Sequence, residues 1–205
     1  MFLLKMLGTV SLLFLLGTSS RIRILILGDS LTEGYGVDPE AAFPRLVAHQ
    51  LDSLYPERFE IINGGVSGST TASALTRLAW YSKSKPNIVV LALGSNDGLR
   101  GIEVKETRRN IQSAIDYCLA HHWKVLLVGL KVPPNYGKDY SLAFDSSFSL
   151  LARKNNLPLL PFLLEGVAGE RELNQADGIH PNELGHAHIA LTVLHFLENN
   201  LPIQP

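Results

Sequence analysis

The chain has 205 residues, 46% of them hydrophobic and 18% charged, which is the size and composition of one globular domain with a sizeable core. Its formal net charge of −1 leaves no cationic excess to neutralise phosphates, so no nucleic-acid partner is expected. Its one cysteine, Cys118, rules out an intrachain disulfide and falls at helical spacing among apolar residues, where it reads as a small core hydrophobe.

The N-terminus comes first. Lys5 precedes a mostly apolar run, Met6 to Leu16, and Gly17-Thr18-Ser19 follow. A positive start, a short greasy stretch and small residues make up a secretory signal, placed at residues 1–19, with the mature domain at 20–205. The uncharged run from Met6 to Ser20 is 15 residues, short of the roughly 20 needed to cross a bilayer. Export to the periplasm or medium is therefore expected, with no integral span in the mature protein. No cysteine lies near the cleavage region to accept a lipid.

Ile22 to Leu27 is a nearly continuous apolar run ending at Gly28, as in a strand buried on both faces. Similar runs occur at Phe59 to Ile62, Ile88 to Leu93, Val125 to Leu130 and Leu157 to Leu160. Helical stripes lie between them. Leu46, Val47, Leu51 and Leu54 follow Pro44 at a first helical turn, and Ile111, Ile115, Cys118 and Leu119 form a second stripe. A last helix is predicted from Glu183 to Asn199 with Asn182 as its N-cap. The loop from Lys131 to Tyr140 is long enough to lie over a site. Five strands alternating with helices predict a three-layer α/β domain with a parallel sheet and helices on both faces. Right-handed crossovers then gather the loops after the strands at one carboxyl edge, where ligands bind.

Four of those loops are polar or glycine-rich: Gly28-Asp29-Ser30-Leu31-Thr32, Asn63-Gly64-Gly65-Val66-Ser67-Gly68, Gly94-Ser95-Asn96-Asp97-Gly98 and Asp177-Gly178-Ile179-His180-Pro181. Each alone reads as a turn or a helix start. Together they hold what acyl transfer requires. A serine hydroxyl needs a base, imidazole can take and return a proton near neutrality, and a carboxylate on its other nitrogen fixes the tautomer. Ser30, His180 and Asp177 are assigned these roles. The Ser30 and Gly65 backbone N–H groups and the Asn96 side-chain amide are the candidate oxyanion donors. His186 and His188 fall at i, i+2 on a helix, where side chains point apart, so no metal site is assigned to them. His121 and His122 end a helix and suit its C-terminal dipole, while His49 and His195 have no evident partner. No phosphate loop, G-x-G-x-x-G or G-x-S-x-G is found, and no cofactor is expected.

In this order the four clusters resemble the GDSL or SGNH hydrolase family. Gly28-Asp29-Ser30-Leu31 matches its first block, Gly65 its second, Asn96 its third and Asp177 with His180 its last. Asn96 to Gly101, Pro134 to Gly137, Pro158 to Phe162 and Asp177 to Asn182 look like its bacterial thioesterase, lysophospholipase and arylesterase branch. The resemblance implies a flavodoxin-like sheet, a periplasmic location and an acyl groove, for which Leu99 and Tyr136 are the candidate walls. It implies an acyl ester, acyl thioester or lysophospholipid as substrate. Ser95 departs from the glycine common there, and its side chain is expected to narrow the pocket or alter loop movement. Two rival readings remain: a carbohydrate O-acetyl esterase of the same family, and a flavodoxin-like module holding Mg²⁺ on Asp29 and Asp97. The second should carry a lysine after the last strand, and Pro161 to Glu165 contains none.

Overall fold

The structure is a computed structural model that describes residues 21–203, so the signal proposed at residues 1–19 lies outside the described residues. Five parallel strands, β1 (Ile22–Gly28), β2 (Phe59–Gly65), β3 (Ile88–Ala92), β4 (Lys124–Val128) and β5 (Leu159–Leu160), form one sheet in the order β2-β1-β3-β4-β5. The expected α/β architecture is present. Ile24 to Leu27 are 0% exposed because β1 has strands on both sides and helices above and below.

The principal helices are α1 (Ser30–Glu33), α2 (Phe43–Leu54), α3 (Ala74–Tyr81), α4 (Ser95–Leu99), α5 (Val104–Ala120), α6 (Lys138–Asn155) and α7 (Glu183–Glu198). α2 packs with α7 in one layer, and α5 packs between α3 and α6 in the other. Val47 and Leu51 bury one face of α2; Ile111, Ile115 and Cys118 do so for α5. The stripes end sooner than the sequence pattern implies: Leu54 and Leu119, in the last turns, stand exposed. Burial also pushes the Cys118 thiol up to about 12, consistent with a core side chain.

Strand lengths differ from the apolar runs. β2 continues through Asn63 and Gly64 to Gly65 because it stays in register with β1, Gly28 opposite Gly65. Backbone pairing, which needs no apolar side chain, decides that end. β5 shrinks to two residues between Pro158 and Pro161, which have no N–H for the ladder, and β4 stops at Val128 beside it. The Lys131 to Tyr140 segment is also shorter as a loop, since α6 starts at Lys138. The Tyr136 hydroxyl donates to Leu99 O at 2.8 Å and the Tyr140 hydroxyl to Ile102 O at 2.8 Å.

The chain leaves β1 for β2 on one side and then crosses to β3 on the other. This reversal opens a crevice at the carboxyl ends of β1 and β3, the usual ligand position of the 2-1-3-4-5 order. Ser30 follows β1 and Asn96 follows β3, so both stand at the switch point.

Candidate active site

Ser30 is the first residue of α1 rather than part of an extended loop. Asp29 caps that helix, its Oδ1 accepting from Leu31 N–H at 3.1 Å. Asp29, Leu31 and Thr32 are buried, which fixes the backbone while Ser30 stays half-buried. Burial pushes the Asp29 carboxyl up to about 6, against the opposing pull of the Leu31 N–H and the nearby Ser95 hydroxyl. The Ser95 hydroxyl is itself buried. Its oxygen lies in the interior near Asp29.

His180 reaches the site from the other end of the chain. Its Nε2 lies 3.1 Å from Ser30 Oγ, and its Nδ1 lies 2.7 Å from Asp177 Oδ2. The carboxylate selects the tautomer with hydrogen on Nδ1, so Nε2 accepts from the serine hydroxyl. Asp177 Oδ1 takes the backbone N–H groups of Ile179 (2.9 Å) and His180 (3.0 Å). The His180 ring, then these two amides, hold the Asp177 carboxyl down at about 2. It stays ionised wherever an imidazole can act as base. The arrangement can deprotonate a serine hydroxyl and stabilise the resulting imidazolium.

The three candidate oxyanion donors sit differently. The Ser30 N–H belongs to the first turn of α1, where no carbonyl of that helix can accept it. Asn96 lies on the helical turn α4, not in a loop, and its Nδ2 spends one hydrogen on Ser69 O at 3.0 Å. The Gly65 N–H donates to Asn63 Oδ1 at 2.9 Å, so an oxyanion there would share or displace that bond. Glycine at 65 has a steric cause as well, since an ideal Cβ would lie 2.0 Å from Glu33 N.

Polar struts hold these pieces together, and most carry no motif. The Arg77 guanidinium donates to the strand-end carbonyls of Gly28 (2.8 Å) and Gly64. Glu33 accepts from the N–H of Ser67 at 2.8 Å and from its hydroxyl. Asp97 is fully buried and takes Thr71 N–H at 2.8 Å and the Thr71 hydroxyl at 2.5 Å. That use of Asp97 runs against its reading as a magnesium ligand: both oxygens brace the loop before α3 against α4. The Tyr35 ring lies 4.7 Å from the His180 ring between Gly34 and Gly36, whose positive φ values mark an unusual turn that the Gly-Tyr-Gly sequence could have signalled.

The other histidines resolve singly. His186 is buried and its Nδ1 accepts from Phe43 N–H at 3.2 Å, while His188 is exposed, so the i, i+2 pair does point apart. Burial, and secondarily His180, lowers the His186 ring to about 4. His49 and His195 do have partners: Glu40 at 3.3 Å and Asn199 at 3.2 Å.

Residues 26–188 match the family model of the GDSL-like lipase/acylhydrolase family. The chain belongs to that family. As a family member it is a serine hydrolase acting on ester bonds. Esterase TesA of Pseudomonas aeruginosa is 38% identical over 176 residues, covering 85% of this chain and 87% of that protein. Thioesterase 1/protease 1/lysophospholipase L1 of Escherichia coli K12 is 36% identical over 168 residues, 82% and 79% of the two chains. Among solved structures, the psychrotrophic esterase EstA from Pseudoalteromonas sp., inhibited by monoethylphosphonate, superposes with a TM-score of 0.82. It shares 34% identity over 86% of this chain and 97% of that one.

Proposed function

We propose that this hydrolase cleaves acyl esters, acyl thioesters or lysophospholipids through Ser30, His180 and Asp177. Ser30 Oγ forms a bond to the acyl carbon while its proton passes to His180 Nε2. The tetrahedral oxyanion is held by the Ser30 and Gly65 N–H groups and the Asn96 amide. On collapse, the bond to the leaving oxygen or sulfur breaks, and that atom takes the proton from His180. Water then attacks the acyl-enzyme, giving one proton to His180, and the acid departs as Ser30 regains it. Asp177 stays ionised and orients the ring throughout.

The observation that carries this reading is the 3.1 Å approach of His180 Nε2 to Ser30 Oγ across 150 residues of sequence, with Asp177 on the opposite nitrogen. The acyl preference draws on the relatives' names and on three exposed apolar side chains, Tyr35, Val66 and Ile179, carried by loops of the site itself. Leu99 and Tyr136, both half-buried and joined by the tyrosine hydroxyl, are the proposed groove walls. Among the described residues no helix is long and apolar enough to cross a membrane, and residues 1–19 are proposed as the export signal.

The test is a hydrolysis screen over acyl length and leaving group beside Ser30→Ala. Turnover of octanoyl and decanoyl esters above acetyl esters, abolished in the variant, is expected. Preference for acetyl would favour the carbohydrate O-acetyl esterase reading, and turnover unchanged by Ser30→Ala would overturn the mechanism. For export, N-terminal sequencing of protein from the periplasm of a Gram-negative host should begin near residue 20; an intact Met1 would contradict it.

A further inference from the structure

The His180 loop is the weakly supported half of the site, since Asp177, Gly178 and Ile179 are all exposed. One hydrogen bond between side chains at 3.1 Å is a poor anchor for an imidazole, being worth only about 1 kcal/mol net. The backbone offers a firmer route. Tyr35 N–H donates to Ser30 O at 3.1 Å, and Gln175 N–H donates to His180 O at 2.8 Å. Between them stands the Gln175 side chain. Its Nε2 donates to Tyr35 O at 2.7 Å and to Pro181 O at 2.9 Å, so both amide hydrogens are used.

We infer that Gln175 is a positioning residue that clasps the His180 loop to the Ser30 loop and so sets the distance between base and nucleophile. The inference rests on the triad reading above and deepens it. Three consecutive bonds, Ser30 to Tyr35, Tyr35 to Gln175 and Gln175 to His180, tie the two reacting residues, with the Gln175 side chain as the middle link. The amide has little room to swing. Gly36 has φ +77, and an ideal Cβ on it would lie 2.3 Å from Gln175 Oε1, so the turn is pressed against the glutamine. Gln175 points its amide at carbonyl oxygens rather than into the cleft, so it acts on the reaction only through where His180 sits.

Gln175→Met keeps the length of the side chain and removes both donors. Gln175→Glu keeps the shape and sets an anionic oxygen against two carbonyls. Reaction of each variant with a fluorophosphonate reports serine activation without reference to acyl binding. The expected result is full labelling stoichiometry, with the labelling rate and kcat both lower by roughly 10- to 100-fold and KM changed by less than about twofold. Gln175→Glu should be the slower of the two. Wild-type labelling rates would overturn the inference. So would partial stoichiometry with a wild-type rate in the labelled fraction, because Gln175 would then support only folding. Ser30→Ala and His180→Ala run alongside: if they still turn over ester, the triad reading itself falls, whatever Gln175 does.

Discussion

The two halves of the site are built differently. Ser30 stands on a framework of buried residues, with Asp29 and Thr32 at 0% exposure and Leu31 at 5%, directly beyond a strand that is itself buried. Asp177 and His180 stand on an exposed loop whose shape comes from hydrogen bonds: two amides onto the Asp177 carboxylate, one bond from Gln175 N–H, and the bridge of Asn174 to Pro181. Ser30 is thus placed by packing and His180 by polar ties. Damage to the first half should appear as lost stability, and damage to the second as lost rate.

The largest effect should come from the second half. Asp177→Asn is expected to lower kcat by about 10⁴-fold, because the ring loses its enforced tautomer, while the urea midpoint moves little. A large loss of stability with little loss of rate would reverse the contrast. Next is Asn96→Ala, expected to cost on the order of 10²–10³ in kcat through the lost oxyanion donor. An unchanged kcat would remove Asn96 from the oxyanion site. In the first half, Leu31→Ala should destabilise the fold by about 2–5 kcal/mol in urea unfolding, as truncation of a buried leucine does. A cost under about 1 kcal/mol would mean that packing does not seat Ser30.

The smallest effect is in pH dependence, and it sharpens the comparison because it pits two buried groups against each other. His186, lowered to about 4, is held neutral in the fold, so it contributes stability above its unfolded value of 6.5 that is lost as pH falls from there towards 4. Asp29, raised to about 6, works in the opposite sense, since its protonated form is favoured in the fold and stability rises as pH falls from 6 towards 3.8. Between pH 7 and 5 the two largely offset each other. Asp29→Asn should expose the histidine, giving a loss of about 2 kcal/mol over that interval by urea unfolding. A flat profile in the variant would show that His186 is not held neutral.

Much of the site was legible because its chemistry demands particular residue types. Few side-chain types serve the proposed roles of nucleophile, base and orienting acid, and Ser30, His180 and Asp177 each follow or precede a recognisable element. The struts were not legible. Arg77, Gln175 and Tyr140 act by donating to backbone carbonyls, which every residue possesses, so no partner type marks the contact. Asp97 shows the converse error: a carboxylate at a strand end invites a ligand reading, and only the positions of Thr71 and Thr107 reveal it as internal bracing.

By itself the sequence determined the alternation of strands and helices, the edge of the sheet where the polar loops gather, and which serine, histidine and carboxylate to propose as a triad. Apolar periodicity and the narrow choice of groups able to move a proton near neutrality suffice for that. Tertiary structure alone decided where β2 and β5 end, that Asn96 rides a helical turn, that Gly65 N–H meets Asn63, and how near His180 comes to Ser30. Those are matters of backbone pairing and of hydrogen bonds between residues far apart in the chain. Their partners become defined only once folding has brought them together.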